Sequence, residues 1–196
     1  MTEGGMMRPA FLDAGPVPEY PFDETHDLRT GPPLHPVLNG LVPFIGVWRG
    51  RGHGEYPTIN AFEYAQELRL SHDGRPFLHY ESRAWLLDAD GNPIRPAARE
   101  VGFWRVVQAD GEPTDEIEVL LTHPTGFLEL YLGRVDGIRI EIATDAVVRT
   151  TTAKDVRAGH RLYGIVEGAL LYAYEMAAVG QPLQPHLSAR LERVGG

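Results

Sequence analysis

From Phe62 onward the chain alternates between apolar and polar positions in short runs. "FEYAQELRL", "FLHYESRAWLL", "VGFWRVVQ", "EIEVLLT" and "FLELYLG" set β-branched, aromatic or aliphatic residues against polar ones. Each is closed by a turn signal: "HDGRP", "DADGNP", "ADGEP", "HPTG" and "VDG". "IRIEIA", "DAVVRTTT", "HRLYGIVEG", "LLYAYEMAAVG" and "HLSARLERV" continue the pattern to the carboxyl end. With the glycine-rich run before them, these make ten or eleven strand candidates at close spacing, the texture of antiparallel meanders folded into a sandwich or barrel. Closure into an up-and-down barrel is favoured, because an open sheet of that many strands leaves vulnerable edges. Only "LHPVLNGLVPFIG" reads as a short helical or 3₁₀ segment, just before the first strand, and no internal repeat supports a propeller.

Residues 1–35 differ in texture. They hold "GPVPEYPF" and "GPPLHP" with no sustained apolar period, and are expected to form a proline-rich arm ahead of a barrel domain spanning 36–196. A chain of 196 residues with 43% hydrophobic content is long enough for one sizeable core. No run approaches the roughly 18 apolar residues of a membrane span, and the amino terminus lacks a signal peptide's basic-then-apolar order. A cytoplasmic protein without a membrane partner is expected. The absence of cysteine excludes disulfides, thiolate metal sites and cysteine nucleophiles. A net charge of -9 disfavours nucleic acid as a partner and leaves a small molecule as the expected ligand, with a homodimer left open.

The stretch "GVWRGRGHGEYPTI" puts Gly46, Gly50, Gly52 and Gly54 on the same parity as Trp48. One face of this first strand is therefore bare except for an indole, and a planar or bulky group is expected to fill it. It lacks the Gly-Lys-Ser/Thr and the strand-to-helix context of a phosphate loop. Of eight histidines, His72 and His123 fall in turn sequences, where solvated or capping roles are ordinary. There is no HExxH and no His-x-His pair, and "GxSxG" is absent, so neither a zinc site nor nucleophilic hydrolysis is indicated. His186 opens the last strand, where alternation groups it with Ser188 and Arg190. If that face points inward, Arg190 is buried and must be paired with a carboxylate or stacked on Trp48. Glu116 and Glu118 are read as a solvated strand face, as are Glu63, Glu67 and Glu129.

"GVWRGRGHGEYPTI", "FEYAQELRLSHDGRPFLHYESR", "EVGFWRV", "PTGFLEL" and "QPHLSARLERV" together resemble the nitrobindin family. The GxWxGxG signature falls on Gly46 to Gly52, and the likeness runs from about Pro36 to Val194. The resemblance implies a ten-stranded antiparallel barrel like the fatty-acid-binding proteins and lipocalins. It further implies a ferric haem b on one histidine, nitric oxide binding, and isomerisation of peroxynitrite to nitrate. Carried onto this sequence, it makes His186 the iron ligand and Thr58 a haem contact. Lys154 becomes a propionate partner, Met176 a neighbour of the porphyrin, and Trp48 with Arg190 the closing cluster of the floor. The sequence departs from the family at Ala98 in "PAAREVGF", where members often carry a histidine. A barrel carrying a fatty acid or other apolar ligand, without haem chemistry, is the alternative.

Overall fold

In a computed structural model, described over residues 15–196, a 3₁₀ segment (Pro36–Phe44) leads into ten antiparallel strands. These are β1 (Gly46–Tyr56), β2 (Ile59–Ser71), β3 (Leu78–Leu87), β4 (Pro93–Ala109), β5 (Glu112–His123), β6 (Phe127–Asp136), β7 (Arg139–Arg149), β8 (Val156–Val166), β9 (Ala169–Ala178) and β10 (Gln184–Gly195). Each pairs with its sequence neighbour, and β10 pairs with β1 to close the ring. This is the up-and-down barrel expected from the sequence, with one strand fewer than the longest count. Most of "IRIEIA" and of "DAVVRTTT" falls in the single strand β7, whose pairing with β6 steps from Leu130↔Ala146 to Tyr131↔Thr144 and leaves Asp145 as an extra residue. A bulge interrupts the alternation there without ending the strand.

The 3₁₀ segment is an apolar plug. Pro36 pre-sets its first turn, Nδ1 of His35 accepts from the Val37 amide at 3.3 Å, and Val37, Leu38, Leu41 and Phe44 are buried. It lies at the end where β1 begins, and the Trp48 indole donates to the Phe44 carbonyl at 2.8 Å. Above it, Trp48, Leu68, Leu70, Leu78, Trp104, Ile140 and Leu191 fill the lower half of the barrel. The arm expected over 1–35 lies partly outside the described residues, at 1–14. Within the described part, Thr25 exchanges two backbone hydrogen bonds of 2.8 Å with His72. His72 caps its turn through Nδ1, 3.4 Å from the Gly74 amide, but is buried rather than solvated.

The glycine face of β1 turns inward, and the protein fills it itself. A methyl group at Gly52 would overlap the Tyr64 ring, and one at Gly54 the Phe62 ring; both rings reach across from β2. At Gly50 a methyl would collide with the Arg190 backbone carbonyl. The flat groups occupying the bare face are thus cross-strand aromatics, and close approach of β10 accounts for Gly50.

The floor cluster also differs from expectation. Arg190 points outward and bonds Glu192 at 3.0 Å, while the guanidinium stacked on Trp48 is that of Arg193, 4.2 Å above the ring. Pairing of β10 with β9 shifts between Pro185 and Leu187, so His186 does not share a face with Ser188 and Arg190. The inward residues beyond the shift are Ala189 and Leu191.

Candidate functional site

In an up-and-down barrel alternate strands start and finish at the same end. The end opposite the plug therefore gathers the last residues of β1, β3, β5, β7 and β9 and the first residues of β2, β4, β6, β8 and β10. A cavity of about 540 Å³ opens there, lined among others by Phe62, Tyr64, His123, Lys154, Met176 and His186. This size suits an organic cofactor or ligand. A wider depression of about 800 Å³ lies on the outer wall, bordered by Arg51, Arg139, Leu162, Leu171 and Arg190. Neither His186 nor His123 lines it.

The shift in β10 sets the attitude of His186. Its Nδ1 lies 3.0 Å from the Glu55 carbonyl oxygen. A carbonyl can only accept, so the ring proton sits on Nδ1 and the lone pair is left on Nε2. Tyr56, Tyr174 and Phe62 surround the ring at centroid distances of 5.3, 6.0 and 6.5 Å. The Tyr56 hydroxyl donates to the Met176 carbonyl at 3.0 Å and accepts from the Ala178 amide at 2.9 Å, fixing the end of β1 against β9. Burial lowers the pKa of His186 below the ordinary histidine value, and the charge of Lys154 adds to this. A neutral imidazole with a fixed tautomer and one free nitrogen is the donor that haem iron takes.

Beneath the cavity lies a charged cluster that sequence reading missed. Arg161 is fully buried and bonds both carboxylate oxygens of Glu100 at 2.9 Å, Glu129 at 3.2 Å and the Tyr131 hydroxyl at 2.8 Å. Its guanidinium also lies 4.4 Å above the Tyr174 ring, and Tyr80 donates to Glu100 at 2.8 Å. Burial opposes the charge on Glu100, but the attraction and hydrogen bonds of Arg161 outweigh it and hold the pKa at about 2. Glu129, expected on a solvated face, is 1% exposed. Phe127, Glu129 and Tyr131 face inward while Leu128 and Leu132 face solvent, a reversed pattern that satisfies Arg161. The available signal was parity: "HRLY" puts Arg161 on the same face as Tyr163, and an inward arginine demands carboxylates.

Of the residues singled out in the sequence, His186, Lys154 and Met176 line the cavity. Thr58 does not: it is exposed on the β1–β2 turn, and the adjoining Ile59 and Asn60 form the wall. Ala98 also lines the cavity, so the position where family members often carry a histidine contributes only a methyl group. His123, read as a turn residue, stands in the wall with its side chain 8% exposed.

Fold and site together define a barrel with a ligand-sized, open-ended cavity and, in its wall, the His186 imidazole with its tautomer fixed. A family model described as "THAP4-like, heme-binding beta-barrel domain" matches residues 37–193. The chain is 65% identical over 196 residues, covering both chains fully, to a protein of Salinispora arenicola called peroxynitrite isomerase. It is 46% identical over 176 residues to a ferric nitrobindin-like protein of Saccharopolyspora erythraea, covering 88% of this chain and 81% of that one. The crystal structure of Rv2717c from M. tuberculosis matches with a TM-score of 0.71 at 41% identity, covering 82% of this chain and 98% of that one. The chain belongs to the nitrobindin family of haem-binding β-barrels.

Proposed function

We infer that this protein is a haem-dependent peroxynitrite isomerase, converting peroxynitrite to nitrate. The observation that carries this reading is the inward imidazole of His186, tied through Nδ1 to the Glu55 carbonyl at 3.0 Å in the wall of a cavity of about 540 Å³. The residues present fit ferric haem b: the unbonded Nε2 of His186, a wall of Phe62, Tyr64 and Met176, and a cation at the mouth in Lys154. The name carried by the Salinispora arenicola relative, identical at 65% of positions along the whole chain, supports the same reaction.

When bound, ferric haem supplies an electrophilic iron at which the peroxynitrite anion rearranges to nitrate. The protein's own residues hold and shelter that reaction. His186 would bind the iron, Lys154 would pair with a propionate, Met176 would pack on the macrocycle, and Thr58, exposed on the mouth turn outside the cavity wall, would meet at most the outer edge of the group. Isomerisation conserves atoms and charge, so no side chain has to deliver a net proton or electron. The apolar part of the wall, with Phe62, Ala98, Phe127 and Met176, would limit the water that reaches the bound anion. Nitric oxide binding, a cytoplasmic setting without nucleic-acid or membrane partners, and the division into an arm (1–35) and a barrel domain (36–196) belong to the same proposal.

Titration of the purified protein with haemin tests the reading, paired with His186→Ala and stopped-flow decay of peroxynitrite with nitrate measured as product. A Soret band that depends on His186, together with nitrate formed faster than by free haemin, is expected. Haem binding that ignores His186 removes His186 as the iron ligand, and decay no faster than free haemin removes the isomerase reading and leaves a haem-holding sensor or scavenger.

A further inference from the structure

His186 and His123 both line the cavity at the open end. β5 and β10 are five places apart by either route round the ten-membered ring, so they lie on opposite sides of the barrel. β5 ends with His123 at the open end and β10 begins there, so both imidazoles border the same space.

His123 is held firmly. Its ring stacks on Phe127 with centroids 4.0 Å apart and planes 11° from parallel. Nε2 lies 2.9 Å from Oε2 of Glu129, and the same carboxylate is held by Arg161 at 3.2 Å and by the Tyr174 hydroxyl at 3.5 Å. An ionised carboxylate only accepts, so the proton of that bond belongs to Nε2. The other nitrogen, Nδ1, has no hydrogen bond among the described residues. Oε1 of Glu100 stands 3.8 Å from it, beyond hydrogen-bonding reach. The charged and titratable groups around the ring are Glu100 on β4, Glu129 and Tyr131 on β6, Arg161 on β8 and Tyr174 on β9, with Tyr80 on β3 behind Glu100. Two carboxylates thus face one guanidinium, and a proton on Nδ1 would balance the cluster.

We propose that His123 is the residue that hydrogen-bonds the small anion or water held opposite His186, through Nδ1. It supplies the polar contact that Ala98 cannot, from a different strand. A ring fixed by Phe127 and Glu129 meets the ligand without reorganising, which is the condition for an electrostatic contact to be strong. Carrying a proton, Nδ1 donates to an anionic ligand such as peroxynitrite; without one, it accepts from a bound water. The proposal rests on His186 holding the haem.

The test uses the haem-loaded protein and its His123→Leu and His123→Gln variants, titrated with sodium fluoride. Fluoride binds ferric haem with a visible spectral change and can only accept hydrogen bonds. The fluoride dissociation constant is expected to rise about tenfold in His123→Leu, the equivalent of one lost hydrogen bond to a charged group. It should recover at least in part in His123→Gln, with the Soret intensity per protein unchanged in both. An affinity within about twofold of the parent in both variants overturns the proposal. Should the leucine variant not fold, His123→Ala takes its place, with the same expected loss and the same result overturning the proposal. The haem-ligand reading fails separately, on the Soret band of His186→Ala.

Discussion

Nδ1 of His186 donates to the carbonyl oxygen of Glu55 across 3.0 Å, joining the start of β10 to the end of β1 at the mouth of the barrel. Because the acceptor is backbone, no side-chain substitution at position 55 removes it. His186→Ala should therefore abolish tight haem binding, whereas Glu55→Ala should leave the Soret band and the haemin titration unchanged. A Glu55→Ala variant that loses haem would show that the carboxylate, and not the carbonyl, orients the ring.

Glycine replacements on β1 should rank by what each new methyl meets. At Gly50 it meets only backbone, with the Arg190 carbonyl nearest, which cannot swing away; at Gly52 it meets the end of the Tyr64 side chain and, less closely than at Gly50, the Ser188 carbonyl. Both should destabilise, by about 1–3 kcal/mol, with Gly50→Ala the worse of the two. Gly40, in the plug, has open space around its Cβ position, and Gly40→Ala should stay within about 0.5 kcal/mol of the parent. Urea unfolding midpoints check the order. Pairing Gly52→Ala with Tyr64→Ala should cost less than the two separate effects added together.

Arg161→Met removes the cation from between Glu100 and Glu129 and should destabilise by about 3–5 kcal/mol, since it leaves buried carboxylates unpaired. The same cluster sets an acid limit. The pKa of Glu100 is depressed to about 2 in the fold, from 4.5, so its contribution is complete above about pH 4.5 and is lost as pH falls towards 2. The loss across that window is about 3 kcal/mol for this one group. Thermal unfolding of the parent should fall steeply through that range. Glu100→Gln should start lower and fall less, and parallel curves would contradict the assignment.

Arg193, not Arg190, ties the two ends of the barrel wall together. It stacks on Trp48 and donates to the Pro43 carbonyl at 2.7 Å and to the Ile45 carbonyl, fixing the plug to β10. Arg193→Ala should cost about 1–3 kcal/mol. Arg190→Ala, which loses only an exposed pair with Glu192, should change the midpoint by less than about 0.5 kcal/mol.

Much of the architecture is carried by local signals in the chain. Alternation closed by turn residues marks the strands, and the proline-led apolar run from Pro36 marks the plug. The GxWxGxG stretch with "PHL" points to the family and to His186. These features are legible because strand period, turn chemistry and glycine tolerance are properties of neighbouring residues. The facing of side chains was settled elsewhere. Two-residue alternation groups His186 with Arg190, but the shift between Pro185 and Leu187 breaks that parity, and a shift of that kind leaves no mark in composition. Glu129 and His123 look like a surface carboxylate and a turn histidine until Arg161, 32 residues after Glu129, is brought between Glu100 and Glu129 by barrel closure. A buried charge draws its partners from across the fold. Sequence alone thus determined that the chain forms a barrel with an imidazole near its end, while only the closed tertiary structure decided which polar groups would face the cavity.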